Sequence, residues 1–518
     1  MSLSGRVRVT EDLLVLPGAR LSIAPGTVLI FDRSESSKVD PEYFFGGTEL
    51  VIRGTVEAEG VRFRFPERTG GIAVDGGTFL IARSEISGAE AGILVTGGGR
   101  VRTRGEVRVS DCRVGLALDA PARGGIEGTG EIALTGNGVG AVRSPGAAAL
   151  PTALATAGNE ESDRIVWDDS PPWTPADPAA GIPPTPSGIR RIGDTFLEKD
   201  RTLAGDLLIE GVIRVAPGAT LRIEPGSRLF FAFRDTDGDG IGENGIFLQG
   251  TLDAQGTRER PIGFYPADAR AGSRGRWDSI NFMVSESEGN RLEHVQIAGA
   301  YRGLHAHFSR LAGRHLRIRD CFRGIQFQES EVDLSDVTVQ DSGSALRCRD
   351  SNVRFERFRV RGTTTGVNIL RSAATLIDPE IDRPGWYGFR IRESRLALTG
   401  GTIRGGLIGV SLQEGSGRLR GTASKDSGLA GFAAQEADVT MKGCRSEDGR
   451  LDGISATGGT VVWEGGAIEG FGRYAVKLGG PGEVRLRGAT IRPAATREDF
   501  PLFYDGRTAP GLGVVTVE

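Results

Sequence analysis

The chain has 518 residues, too many for one ordinary compact core, so either several domains or a repeat array must bury its apolar surface. Glycine supplies 79 residues, about twice the usual fraction, which indicates turns at regular intervals. The formal net charge of −4 argues against a dedicated nucleic-acid binder, and no apolar run reaches the length of about 18 residues that a transmembrane helix needs.

The chain opens with Met1, Ser2 and Leu3 and passes at once into β-type sequence, with no signal peptide. We expect that a native export signal has been removed and that the protein is extracellular, periplasmic or at the cell surface. A cytoplasmic protein that starts at its true N-terminus is the alternative. The four scattered cysteines do not predict disulfides and leave the compartment open.

Two copies of one segment lie 200 residues apart, which indicates a duplication. The same prolines, glycines and apolar residues recur in the same order in both copies. The matching positions are Pro17, Gly18, Ala19, Leu21, Ile23, Pro25, Gly26, Leu29 and Phe31 against Pro217, Gly218, Ala219, Leu221, Ile223, Pro225, Gly226, Leu229 and Phe231.

A proline-rich segment separates the two copies. Seven prolines between residues 171 and 186 exclude central strands and helix interiors. We therefore predict a first, shorter domain at residues 1–146, a linker at 147–190 and a second, longer domain at 191–518. Bulky apolar residues near Phe503 break the repeat at the end of the second domain and predict a C-terminal cap.

The second domain contains repeats of about 21 or 22 residues. One strand in each repeat carries apolar residues at alternate positions, which places these columns inside and the residues between them outside. The first inward column consists of Leu304, Ile325, Leu346, Val367, Phe389, Val410, Phe432, Ile454 and Val476.

The same residue order recurs in every repeat, which requires parallel strands, because antiparallel hairpins would reverse it. A repeat this short has no room for a crossover helix, so each repeat must be one coil of short strands and turns. The predicted fold is therefore all-β: a duplicated right-handed parallel β-helix, or solenoid.

With this periodicity, the chain resembles the right-handed parallel β-helix superfamily, which includes pectate-lyase-like enzymes. The segment Pro217–Gly226 resembles the entry segment of exported bacterial β-helix repeat proteins. The resemblance implies an exported protein that handles polysaccharide. It does not by itself imply an activity, because one fold hosts many functions. The catalytic signatures of a polygalacturonase or an alginate epimerase are absent from the sequence, so no catalytic residue is assigned.

An aspartate-rich loop is the first candidate site. Its carboxylates are two residues apart and alternate with glycines that let the loop curl, a spacing at which alternate side chains converge on one Ca²⁺. The predicted ligands are Asp235, Asp237, Asp239 and Glu243. A solvated acidic turn is the alternative, and Ca²⁺ is the one cofactor that the sequence predicts.

The outward columns of the regular strand are the second candidate. Imidazole, amide and guanidinium groups on a flat face suit a hydroxyl-rich or carboxylated chain. This predicted glycan-binding ladder consists of His305, His307, Gln326, Gln328, Arg347, Arg349, Arg390 and Arg392. The alternative is a solvated face whose charges neutralise one another between coils.

Further acidic and histidine residues follow the 21-residue spacing. His294 lies one coil from His315, and Asp320 lies one coil from Asp341. The two aspartates could form a glycosidase pair, although a turn position favours a structural role. His305 and His307 could share Zn²⁺, but a third ligand is not evident on that strand.

Two functions remain open at this point. The first is a noncatalytic exported or cell-surface protein that binds polysaccharide or has a structural role, favoured because the polar faces are repetitive. The second is a polysaccharide lyase or glycoside hydrolase that acts on an acidic glycan. The expected partner is polysaccharide in both cases.

Overall fold

A computed structural model describes residues 1–33, 44–119, 124–144, 147–167, 181–268, 274–494, 502–504 and 513–517. These residues form strands and turns and contain no helix, so no helix among them could span a bilayer. The chain divides into two compact units. The first comprises Met1–Thr174 with Gly238–Gly240, and the second comprises Pro175–Asp237 with Ile241–Glu518.

The first unit is a parallel β-helix whose strands form three sheets. One sheet contains Ser2–Leu3, Arg20–Ile23, Thr55–Glu59, Thr78–Ala82, Arg100–Arg104 and Gly125–Gly128. A second contains Arg6–Val9, Val28–Phe31, Arg62–Arg64, Glu85–Ser87, Val107–Ser110, Ile132–Thr135 and Leu154–Ala157. The third contains Leu13–Val15, Glu49–Ile52, Gly71–Asp75, Ala91–Thr96, Val114–Leu118, Val139–Arg143 and Ser162–Val166.

The second unit repeats this plan over more coils, and its strands also line three faces. The face that carries the predicted ladder contains Thr195–Leu197, Val212–Val215, Gly245–Leu248, Trp277–Met283, Ala300–His307, Arg323–Gln328, Ser344–Arg349, Thr365–Leu370, Tyr387–Arg392, Ile408–Gln413, Tyr474–Leu478 and Leu502–Tyr504. The next face along the chain contains Arg201–Leu203, Thr220–Ile223, Thr251–Gln255, Ala373–Ile377, Arg395–Thr399, Ser416–Arg420, Gly482–Arg487 and Gly513–Val517. The remaining face contains Arg190–Ile192, Asp206–Ile209, Arg228–Phe231, Ile262–Pro266, Glu380–Asp382, Thr402–Arg404, Ala423–Lys425, Arg445–Glu447, Ala467–Phe471 and Thr490–Pro493.

Six longer strands each run across two of these faces. Four of them join the second face to the third and bend at a residue with positive φ, such as His315 at 56°. These four are Arg291–Ala298, Arg310–Arg319, Glu331–Gln340 and Asn352–Arg361. The other two, Ala430–Lys442 and Asp452–Glu464, join the ladder face to the second face.

The predicted inward columns form the core of the second unit. Leu304 pairs with Ile325, Ile325 with Leu346 and Leu346 with Val367, all in parallel register. The column continues through Phe389, and its members are at most 1% exposed. Like residues stack on like in successive coils, as the repeat predicts, and the parallel β-helix is confirmed.

The duplicated segments fold in the same way. Gly18 and Gly218 adopt φ of 79° and 83°, values that a residue without a Cβ reaches at little cost. Each glycine precedes a strand of the same register position, Arg20–Ile23 in the first unit and Thr220–Ile223 in the second. The sequence match therefore reports an equivalent turn and strand in both units.

The first unit extends beyond the predicted boundary at residue 146. Strands Leu154–Ala157 and Ser162–Val166 lie in the predicted linker, yet they pair in parallel with Ile132–Thr135 and Val139–Arg143. Alanine and serine obscure the alternation of apolar and polar residues in these two strands, so the sequence pattern did not predict them. At the other end, Leu502–Tyr504 continues the parallel stack within the predicted cap, and Phe500 lies outside the described residues.

A buried column of serines supports the turn after each ladder strand. The Oγ of each serine donates to the carbonyl two residues earlier and accepts from the N–H of the serine one coil before. Ser351 Oγ, for example, donates to Arg349 O at 2.8 Å and accepts from Ser330 N at 3.0 Å. The column consists of Ser309, Ser330, Ser351, Ser372 and Ser394. These hydroxyls satisfy backbone groups that would otherwise be buried without partners.

We expect Ser351→Ala to lower the free energy of unfolding by about 1–3 kcal/mol, because the Ser330 N–H loses its acceptor in a buried position. Urea unfolding followed by circular dichroism measures the change. Ser416→Ala, at an exposed position, is the matched control. Equal midpoints for the two variants would contradict a supporting role for the column.

Candidate functional site

The predicted ladder is in register but buried. His305 is 3% exposed, Gln326 1%, Arg347 4% and Arg390 7%. Gln328 is also buried, and His307, Arg349 and Arg392 are half-buried. The ladder is therefore not a freely exposed face, and glycan binding by its side chains stays a prediction. Alternation along a strand shows which side a residue faces, but not whether that side is covered.

The ladder side chains contact one another and the neighbouring Arg323 within the second unit. Arg323 Nη1 donates to Gln326 Oε1 at 2.5 Å, and Arg349 Nη2 donates to Gln328 Oε1 at 3.1 Å. The Arg323 guanidinium also lies 5.8 Å from the centre of the Tyr301 ring. Such contacts satisfy part of the buried polar groups of this layer.

His305 and His307 form a pair at the start of the ladder. Their Nε2 atoms are 2.9 Å apart and their rings are perpendicular, a geometry that suits a hydrogen bond between neutral imidazoles. Burial holds the pKa of His305 well below its usual range, and Arg302 lowers it further. No third histidine, cysteine or acidic ligand converges with this pair among the described residues, so the Zn²⁺ alternative gains no support.

Acid is expected to destabilise the protein through His305. The folded state keeps this imidazole neutral, whereas an unfolded histidine binds a proton near pH 6.5. Stability should therefore fall as pH drops below about 6.5, by up to about 1.4 kcal/mol per pH unit for one proton. His305→Gln should remove part of this fall in urea unfolding between about pH 7 and 5.5. An unchanged pH dependence in the variant would contradict the assignment.

His294 and His315 stack on adjacent coils, as their spacing predicts. Their ring centres are 4.4 Å apart and the ring planes differ by 19°. Burial lowers the pKa of His294, and His315 adds to this effect. Both residues lie where the long strands bend, at φ of 48° and 56°. Parallel stacked rings do not converge on a common ion, so we assign this pair a structural role at the bend of the strands.

The aspartate loop brings three of its four predicted ligands together. One carboxylate oxygen each from Asp235, Asp237 and Asp239 lies within 4.8 Å of the others. The predicted fourth ligand, Glu243, is not part of this group. Its carboxylate accepts from Thr236 N at 2.7 Å and from the Thr236 hydroxyl, and these hydrogen bonds hold its pKa below the usual range. The donor set of three carboxylates suits Ca²⁺, and the calcium site stays a prediction.

Calcium is expected to raise the unfolding midpoint of the wild type but not of Asp237→Asn. A ligand that binds only the folded state at about 100 times its Kd stabilises it by about 2.7 kcal/mol. Thermal unfolding with Ca²⁺ and with a chelator measures the difference. Identical unfolding midpoints of the wild type with Ca²⁺ and with a chelator would contradict the calcium site.

A column of exposed or half-buried side chains follows the ladder at the corner of seven successive coils. Each member is a turn residue with φ between 44° and 50°, and the first five members lie immediately before the residues of the buried serine column. This corner column consists of Phe308, Glu329, Asp350, Arg371, Glu393, Glu414 and Glu436. Phe308 is 53% exposed, which is unusual for a phenylalanine. Asp350 accepts two hydrogen bonds from Arg371, both of 2.8 Å.

Glu329 is the corner residue nearest the histidine pair. Its carboxylate oxygen lies 3.7 Å from His307 Nδ1. Burial raises the pKa of Glu329, although Arg349 opposes this effect. A carboxyl group with a raised pKa beside an imidazole is one arrangement suited to proton transfer.

A cleft of about 410 Å³ adjoins the corner column on the next face of the second unit. The cleft begins at Arg310 and Glu331, which follow the corner residues Phe308 and Glu329 by two positions in the sequence. Buried Leu311 and Val332 lie beneath it. The remaining lining residues are Ser287, Glu288, Asn290, Ala312, Asp333, Asn352 and Arg354.

Ion pairs order the rim of this cleft. Arg310 Nη1 lies 2.8 Å from Glu288 Oε1, and Arg310 Nη2 lies 2.8 Å from Glu331 Oε2. Sequence reasoning missed the cleft, because its residues belong to ordinary repeats. The sequence feature that could have indicated the cleft is Ala312, a small residue that pairs in register with Asp333, which in turn pairs with Arg354.

Comparison with known proteins gives likenesses of fold only. No family model and no curated protein matches the chain. The catalytic unit of a thermostable GH87 alpha-1,3-glucanase from Streptomyces thermodiastaticus strain HF3-3 is similar over 64% of this chain and 68% of its own, at 11% identity and a TM-score of 0.29. The periplasmic alginate epimerase AlgG is similar over 95% of this chain and 84% of its own, at 10% identity and a TM-score of 0.26.

Proposed function

We propose that this protein is a noncatalytic, exported or cell-surface β-helix protein that binds polysaccharide. The observation that carries this proposal is the corner column, in which seven consecutive coils each present one side chain at the same turn. A repeating surface suits a repeating ligand. The proposal also accounts for the lack of a catalytic signature in the sequence.

The geometry of the corner column suits a linear chain of sugars. Coils stack about 4.8 Å apart, so six steps from Phe308 to Glu436 span roughly 29 Å, a scale suited to several sugar units. A polymer that lies along the helix axis would meet Phe308 on the first of these coils and one charged group on each coil after it. Phe308 supplies an exposed ring against which the apolar face of a sugar can pack.

Affinity electrophoresis against a panel of soluble neutral and uronate polysaccharides tests the proposal. We expect at least one polymer to retard the wild type, and Phe308→Ala to weaken that binding by about tenfold. Phe196→Ala removes a ring that is 60% exposed on another coil and is the matched control. Failure of every polymer to bind would overturn the proposal.

One observation favours the enzymatic alternative, a lyase or hydrolase. Burial raises the pKa of Glu329, and its carboxylate lies 3.7 Å from His307, an arrangement suited to a general acid. Incubation with a panel of polysaccharides, uronate polymers among them, with and without Ca²⁺ separates the two functions. Depolymerisation that Glu329→Gln abolishes would establish the enzyme, whereas binding without product favours the noncatalytic protein.

A further inference from the structure

The cleft beside the corner column has the shape and chemistry of a sugar-binding subsite. We propose that it binds a neutral, hydroxyl-rich glycan chain and discriminates against uronate chains. This inference rests on the proposed function and specifies its ligand class. It differs from the acidic glycan that the arginine-rich ladder suggests, because the exposed surface carries different charges from the buried one.

The size and floor of the cleft suit a pyranose ring. Its volume of about 410 Å³ lies within the range of small-ligand sites, roughly 300–1,000 Å³. Leu311, Val332 and the methyl group of Ala312 supply apolar surface, while the rim supplies hydrogen-bonding groups. An apolar base with a polar rim matches a sugar, which has apolar ring faces and hydroxyl groups at its edges.

The charges of the rim disfavour a carboxylated sugar. Three exposed carboxylates line the cleft, those of Glu288 at 83% side-chain exposure, Glu331 at 61% and Asp333 at 66%. Two guanidinium groups among the lining residues oppose them: Arg310 pairs with Glu288 and Glu331, and Arg354 lies 3.9 Å from an Asp333 oxygen and 3.1 Å from a Glu356 oxygen. Hydroxyl groups can donate to the carboxylates, whereas a uronate would face like charge.

One wall of the cleft is fixed before any ligand binds. Asn290 is 1% exposed, and its Nδ2 donates to Ser285 O at 3.1 Å and to Arg310 O at 2.9 Å. Its Oδ1 accepts from Leu252 N at 2.9 Å. These bonds hold the segment with Ser287 and Glu288 against the sheet. A fixed wall lowers the entropy cost of binding.

Filling the cleft tests the inference. Ala312→Phe places a ring in the cleft at an exposed strand position, and Ala397→Phe makes the same change in the same column, three coils beyond Asp333 and outside the cleft. Isothermal titration with neutral gluco- and manno-oligosaccharides and with oligouronates of equal length gives the affinities. We expect Ala312→Phe to weaken neutral-sugar binding at least about tenfold and Ala397→Phe to change it by less than about twofold.

Asp333→Asn provides a second variant with little change in shape. It should weaken neutral-sugar binding about threefold or more, because an amide offers one fewer acceptor oxygen than a carboxylate. Neutral-sugar binding that survives both Ala312→Phe and Asp333→Asn would place the ligand elsewhere and overturn the inference while the proposed function stands. Tighter binding of oligouronates than of neutral sugars would also overturn it. Failure of all sugars to bind would overturn the proposed function itself.

Discussion

Phe389→Ala is expected to lower the free energy of unfolding of the second β-helix by about 3–5 kcal/mol. The Phe389 side chain is fully buried and stacks in register between Val367 and Val410. Its removal loses apolar burial and leaves a cavity that the fixed spacing between coils prevents from closing. Urea unfolding followed by circular dichroism measures the loss.

Phe308→Ala is the matched control for this change, since it removes the same ring from a position that is 53% exposed. It should cost less than about 1 kcal/mol. A similar loss in the two variants would mean that the inward column does not carry the stability of the fold. A loss confined to Phe389→Ala would also show that any effect of Phe308→Ala on sugar binding is local.

Arg323→Ala is expected to have the next largest effect, lowering the free energy of unfolding by about 2–4 kcal/mol. Arg323 is 1% exposed, packs over Tyr301 and Phe322, and donates to buried Gln326. Truncation leaves the Gln326 carbonyl without this donor and removes the packing of the long side chain. The result distinguishes a buried structural layer from an open binding face.

Arg418→Ala removes an exposed guanidinium from the second unit and should change stability by less than about 0.5 kcal/mol. If Arg323→Ala is equally mild but weakens glycan binding, the ladder would be an accessible binding face after all. The expected outcome is the reverse, a destabilised protein whose remaining folded fraction binds sugar normally. Thermal unfolding and affinity electrophoresis on the same preparations provide both readings.

The proposed binding surface, formed by the corner column and the cleft, lies one corner of the coil beyond the predicted ladder. The ladder suggests acidic ligands through its arginines, yet those side chains are buried or half-buried. The exposed groups beyond the serine column that line the cleft include the carboxylates of Glu331 and Asp333. The ligand class therefore changes with the choice of face, because a glycan meets only the charges that remain in contact with water.

The repeat in the sequence determined the fold of the second unit and much of its register. Leu304, Ile325 and Leu346 recur every 21 residues, and only parallel coils place such residues on top of one another. The same spacing predicted the stack of His294 on His315. Such predictions succeed because alternation and repeat length are local properties that each coil expresses by itself.

Tertiary structure alone decided which polar residues remain exposed. The sequence places Arg347 outside its coil, yet this side chain is only 4% exposed. The cleft likewise depends on the segment at Glu288 lying against strands that begin at Arg310 and Glu331. Burial and cavity shape arise from the sum of long-range contacts, so a pattern read along one strand fixes the direction of a side chain and leaves its environment undetermined.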